Sequence, residues 1–143
     1  MMSAKKRILE EIKTFPGQSG IYYQNLETGE TWGYGEKASY LAASIVKLPL
    51  MAAILLWKSR GETSFDDKVT IREDQKIPGC GAVQFLNGDV TLTVGKLCKL
   101  MIVISDSCAT NALFRHYGAE AIRQAFLELR LTGTQFNLSL IHI

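Results

Sequence analysis

Ile8, Leu9, Ile12 and Phe15 fall on one stripe of a helical wheel, with lysines and glutamates on the opposite side. This spacing predicts an amphipathic helix over residues 4–15, stopped by Pro16-Gly17. The pattern then changes to β-branched and aromatic runs. Ile21-Tyr22-Tyr23 and Thr31-Trp32-Gly33-Tyr34 flank Glu27-Thr28-Gly29-Glu30 and predict two strands joined by a turn. From Ser44 to Trp57 the chain is almost wholly apolar except for Lys47. A helix that is apolar all round predicts burial at the centre of the body, with Pro49 either in its first turn, where no backbone N–H is needed, or at a local distortion.

Connectors follow: a loop around Gly61, a short strand at Val69-Thr70-Ile71, and the turn-rich Ile77-Pro78-Gly79-Cys80-Gly81, placed to border a cleft. Thr93 is suited to cap a helix running through Leu97, Leu100, Met101 and Ile104, and that helix breaks at Ser105-Asp106-Ser107. A further helix runs to Tyr117 and ends at Gly118. One more, Glu120 to Leu131, turns Ile122, Phe126 and Leu129 inward. Neither an internal repeat nor a low-complexity tract interrupts this order.

Composition narrows the function. At 143 residues and 47% apolar content, the chain suffices for one domain, burying about 68–70% of its unfolded surface. Sixteen basic residues against fourteen acidic ones leave a charge of +2, spread along the chain, which argues against a nucleic-acid partner. The ten-residue run from Leu48 to Trp57 falls short of the roughly twenty residues needed to span a bilayer. After Met1-Met2-Ser3-Ala4-Lys5-Lys6-Arg7, Glu10 and Glu11 interrupt any export-signal core, so a cytoplasmic protein is expected from the chain as written. Cys80, Cys98 and Cys108 are odd in number and lack zinc or redox spacing. They read as reduced, mostly buried thiols.

Two polar islands stand out against the apolar background. Ser44 and Lys47 set a hydroxyl and an amine three residues apart on one helix face. A serine hydroxyl is a poor nucleophile until something takes its proton, and a lysine can do so once burial lowers its pKa. Ser3 and Lys6 share the spacing, but their polar setting reads as a helix start with solvated lysines. Without chemistry, Lys47 would extend its amine from the first helical turn to water. The second island is Ser105-Asp106-Ser107, where Asp106 suits a cap or a buried hydrogen-bond acceptor and function would rest on Ser105 and Ser107. His116 follows Arg115 inside a helix and His142 lies near the end, neither with a convincing triad partner.

A helix and hairpin, then Ala43-Ser44-Ile45-Val46-Lys47 before an apolar run, then Ser105-Asp106-Ser107-Cys108-Ala109-Thr110-Asn111 stand in fixed order. In this the chain resembles the class A β-lactamases and related penicillin-recognising serine hydrolases, from about Ser3 to Asn137. The resemblance implies an α/β fold of the α+β type, a helical body beside an antiparallel sheet with the active site between them. It implies that Ser44 attacks a lactam carbonyl, Lys47 assists its deprotonation, Ser105 relays a proton to the departing nitrogen, and the Ser44 N–H forms half of an oxyanion hole. Ser107 occupies the third place of the family's Ser-Asp-Asn pattern and would bind substrate, without an amide. The chain has no Lys-Thr-Gly or Lys-Ser-Gly strand motif and no Glu-x-x-x-Asn loop.

The expectation is therefore an incomplete hydrolase domain over 1–137 that lacks the later strands, with 138–143 a non-native tail. It would be monomeric if complete, act on a small β-lactam, amide or ester, and need no metal or cofactor. Two alternatives are a penicillin-binding, peptidase-like acyl-acceptor and a non-catalytic fragment in which Ser44 and Lys47 only pack.

Overall fold

The structure is a computed structural model that describes residues 3–134; the predicted tail at 138–143, and His142 with it, lies outside them. Two compact units divide at Leu41 and Ala42.

In the first unit, α1 (Ala4–Thr14) starts at Ser3, whose hydroxyl accepts from the Lys6 N–H. Ser3 thus caps the helix, as its polar setting predicted. No residue of α1 is buried; Leu9 and Ile12 are half-covered while Ile8 and Phe15 are exposed. Strands β1 (Ile21–Gln24) and β2 (Thr31–Tyr34) pair antiparallel, with Tyr23 opposite Trp32 and their rings stacked at 5.6 Å. The Asn25 side chain closes the hairpin by accepting from the N–H groups of Glu27 and Thr28.

The second unit holds the core. A 3₁₀ turn at Ala43–Val46 leads into α2 (Lys47–Ser59), where Pro49 occupies the first turn. The β3 strand (Lys68–Ile71) pairs antiparallel with β4 (Val90–Thr93), which runs directly into α3 (Val94–Val103). Thr93 caps α3 through the Lys96 N–H. Helices α4 (Ser107–Tyr117) and α5 (Ala119–Glu128) follow, separated by Gly118 at φ +80°. Leu50, Ile54, Ile71, Leu97, Met101, Leu113, Ile122 and Phe126 are fully enclosed or nearly so and form one cluster.

Three expectations need correction. The apolar segment from Ser44 is not buried all round: α3 and α5 cover Leu50, Ala53, Ile54 and Trp57, while Ile45, Leu48 and Leu55 are exposed. Hydropathy reports what a side chain tolerates; the packing of neighbours decides which faces are covered. Strand β4 was not predicted at all, because its four residues abut the helix cap at Thr93. Finally, α5 stops at Glu128 and not Leu131, where Arg130 turns left-handed at φ +59°. Cys98 and Cys108 are buried as expected, but Cys80 is exposed.

Among the described residues no helix is long and apolar enough to cross a membrane.

Candidate active site

Ser44 and Lys47 do not share a regular α-helix. Ser44 belongs to the 3₁₀ turn and Lys47 is the first residue of α2. The turn is entered through Ala43, which holds a left-handed φ of +44°, a conformation disfavoured for any residue with a Cβ and retained only where the surroundings enforce it. Ser44 itself is exposed, whereas Lys47 is 9% exposed.

Ser105 arrives from the α3–α4 junction. The α3 helix ends at Val103, and Ser105 then takes φ +57°, reversing the chain before Asp106 starts α4. The junction is held by Asp106, which is fully buried: one carboxylate oxygen accepts from Ala109 N–H at 2.8 Å, the other from Ala82 and Val83 N–H at 2.7 and 3.0 Å. Asp106 therefore combines the two expected roles, helix cap and buried acceptor. The turn-rich connector, expected to border a cleft, packs on this island instead, where Ser107 N–H donates to Cys80 O at 2.9 Å.

A Cβ at Gly81 would run into the Asp106 carboxylate and Cα, and Gly81 holds φ +105°. Gly81→Ala should destabilise the protein by about 2–4 kcal/mol, combining strained backbone with displacement of a buried acceptor. Urea unfolding would measure this; a loss under about 0.5 kcal/mol would show that the connector does not brace the island.

The side chains of Ser44, Lys47 and Ser105 form a closed ring. Lys47 Nζ donates to Ser105 O at 2.8 Å, to Ser105 Oγ at 2.7 Å and to Ser44 Oγ at 3.3 Å, and Ser105 Oγ donates to Ser44 Oγ at 2.9 Å. An ammonium has three hydrogens for these three contacts. A neutral amine has two, which Ser105 O and Oγ can hold, leaving its lone pair for the Ser44 hydroxyl proton. The same geometry thus serves both protonation states.

Burial holds the Lys47 pKa below the ordinary lysine value, while the Cys80 sulfur and the Asp106 carboxylate oppose the shift without cancelling it. The shift favours the free base, the form that can take the Ser44 proton.

A depression of about 250 Å³ lies over this ring, lined by Ser44, Ile45, Lys47, Leu48, Met101, Ile102 and Ser105. Of the four expected site residues, three converge. Ser107 opens α4 with its hydroxyl turned towards Gly79, where a Cβ would sit 2.6 Å from Oγ, and it does not line the depression. His116 sits in the last turn of α4. Sequence reasoning overlooked Ala43 and Gly81, whose roles rest on backbone angle and close approach, although the Gly-Cys-Gly run was a signal for the second.

Helices with small antiparallel sheets, and a Ser–Lys–Ser ring where a 3₁₀ turn meets a helix–helix junction, define an α+β protein with the architecture of serine hydrolases. The chain belongs to the β-lactamase enzyme family, whose model matches residues 3–142. It is 32% identical over 108 residues to a β-lactamase of Rhodobacter capsulatus, covering 75% of this chain and 36% of that protein. A β-lactamase of Streptomyces albus G is 25% identical over 130 residues, covering 87% and 41%.

Among solved structures, PBP-A superposes with a TM-score of 0.85 at 28% identity, over 93% of this chain and 51% of that one. An ancestral class A β-lactamase superposes with a TM-score of 0.78 at 25% identity, over 94% and 53%. The fold is that of the class A β-lactamases, and the chain spans between about a third and half of these relatives.

Proposed function

We propose that the protein opens β-lactam amides through an acyl-enzyme on Ser44. The observation that carries this reading is the hydrogen-bonded ring, in which an exposed hydroxyl lies 3.3 Å from a buried amine and 2.9 Å from a second hydroxyl. Lys47 as free base takes the Ser44 proton while Oγ bonds to the carbonyl carbon. The carbon–nitrogen bond then breaks, and Ser105 passes a proton from Lys47 to the departing ring nitrogen. The Ser44 N–H stabilises the charge developing on the carbonyl oxygen. Water later cleaves the ester and frees Ser44. Ser107 contacts substrate only after its side chain turns from Gly79 or through a bridging water.

The test is a time course of intact mass after addition of penicillin G. Addition of one whole penicillin, followed by return of the free mass, supports the hydrolase. Absence of any adduct on folded protein overturns it.

A second reading is a slow acyl-acceptor of the penicillin-binding kind. Two observations favour it: Ser107 stands where the family pattern has Asn, and a PBP-A variant solved as an acyl-enzyme complex with penicillin G matches with a TM-score of 0.80 at 28% identity. An adduct that forms but persists selects this reading.

The acylation rate should also depend on pH. The free-base fraction of Lys47 grows as pH rises through its depressed pKa, so the rate should rise with pH and level off below the ordinary lysine value of 10.5. Stopped-flow or quench measurements check this; a rate flat from pH 6 to 10 would remove Lys47 as the base.

A further inference from the structure

The C-terminal turn of α4 meets strand β3 in a second cavity, of about 280 Å³, lined among others by Lys68, Thr70, Gln75, Arg115 and His116. Strand alternation explains two of these positions. Val69 and Ile71 point into the core, which turns Lys68 and Thr70 outward together. On α4, Arg115 and His116 occupy the last turn.

The cavity gathers cationic and N–H donor groups from β3, from α4 and from the 3₁₀ turn Glu73–Gln75. Among the described residues, none of Lys68, Arg115 and His116 takes part in an ion pair, although five ion pairs form elsewhere. The nearby carboxylates are already engaged: Asp67 accepts from Thr63 Oγ1 and Ser64 N–H, and Asp74 pairs with Arg72. Gln75 uses Oε1 to accept from Arg72 N–H, leaving its amide N–H₂ as a donor. Burial is the main influence holding the Arg115 pKa below its ordinary value, Arg72 adds to it, and Cys108 and Asp74 oppose it without cancelling it, so a bound anion would further favour the guanidinium. A guanidinium, an ammonium and an imidazole around one cavity match the oxygens of a tetrahedral oxyanion better than the two of a carboxylate.

We propose that this cavity binds a phosphoryl group, as inorganic phosphate or a phosphomonoester. Arg115 clamps two oxygens, Lys68 supplies a point charge from the strand, and the His116 imidazole and Gln75 amide complete the donor set. The site is separate from the Ser–Lys–Ser ring, because Arg115 lies eight residues along α4 from Ser107, about 12 Å at 1.5 Å per residue.

The experiment titrates the protein with millimolar inorganic phosphate at constant ionic strength and follows the His116 ring proton by NMR, assigned with His116→Gln. Phenyl phosphate and acetate are titrated in parallel. A saturable phosphate shift, weakened about tenfold or more in Arg115→Gln and in Lys68→Gln but unchanged in Arg123→Gln, is expected, since a charge-assisted hydrogen bond is worth about 1.5–3 kcal/mol.

Tighter binding of phenyl phosphate than of phosphate identifies a monoester as the ligand, and the reverse identifies the free ion. Three results overturn the proposal: no saturable shift in the native protein, equal affinity in both lining variants shown to be folded by circular dichroism, or acetate binding as tightly as phosphate. Low millimolar concentrations keep the general stabilising effect of phosphate salts out of the measurement.

Discussion

Replacing Ser44 by alanine should abolish the penicillin adduct and lower β-lactam turnover by at least about 10³-fold, because the ring's other hydroxyl, on half-buried Ser105, donates to Ser44 and serves as the proton relay and not as the exposed attacking group. Stability should stay within about 0.5 kcal/mol of the native protein, since Ser44 is exposed and contributes only its hydroxyl contacts with Lys47 and Ser105. Separating these two effects is what gives the variant its force. Intact mass would detect an adduct, and urea unfolding would verify the fold. An adduct retained in Ser44→Ala would move the nucleophile elsewhere, and peptide mapping would locate it. The exposed Cys80 beside the Ser105–Ser107 junction would be the first residue to inspect.

Asp106→Ala should produce the largest loss of stability of any single substitution in the site, about 3–5 kcal/mol. Three backbone N–H groups, those of Ala82, Val83 and Ala109, lose their acceptor at once, and the residue they surround is fully buried. Against a typical total of about 5–15 kcal/mol this approaches the margin of folding. Asp106→Asn should lose somewhat less, because one oxygen remains while the new amide N–H₂ faces a backbone donor. Chemical denaturation with m-values compared between variants would measure both. A loss below about 1 kcal/mol in Asp106→Ala would mean that water takes over the acceptor role and that the junction carries its own geometry.

The two results bear on one another. Ser105 can reach both Ser44 and Lys47 only while the α3–α4 junction reverses at φ +57°, and the three bonds of Asp106 hold the next residue in place. Asp106→Ala that still folds should therefore also lose acylation rate, with the Ser44 hydroxyl untouched. A 1 Å displacement within such a ring is enough to cost about a hundredfold.

Much of this arrangement was legible beforehand, where local chemistry is decisive. The stripe of Leu9 and Ile12, the Ser3 and Thr93 caps, the first-turn position of Pro49 and the stop at Gly118 all follow from the backbone preferences of single residues. Asp106 as cap and buried acceptor was legible too, because a lone carboxylate after an apolar helix has few other stable fates. The partner strand Val90–Thr93 was hidden: a four-residue alternation abutting a helix cap is too short to separate from the helix by periodicity.

The sequence by itself singled out the candidate residues and the order in which they occur, namely Ser44, Lys47, Ser105 and Ser107. It did so because a polar group in an apolar run has to be solvated, capped or used. Only the tertiary structure decided which of them meet. The 58-residue separation of Lys47 and Ser105 collapses to a 2.7 Å hydrogen bond because the buried faces of α2, α3 and α4 share one core. Ser107, two residues further on, begins a helix that turns its hydroxyl towards Gly79. Residue type and spacing act along the chain; the direction of a side chain is settled by what packs around its backbone.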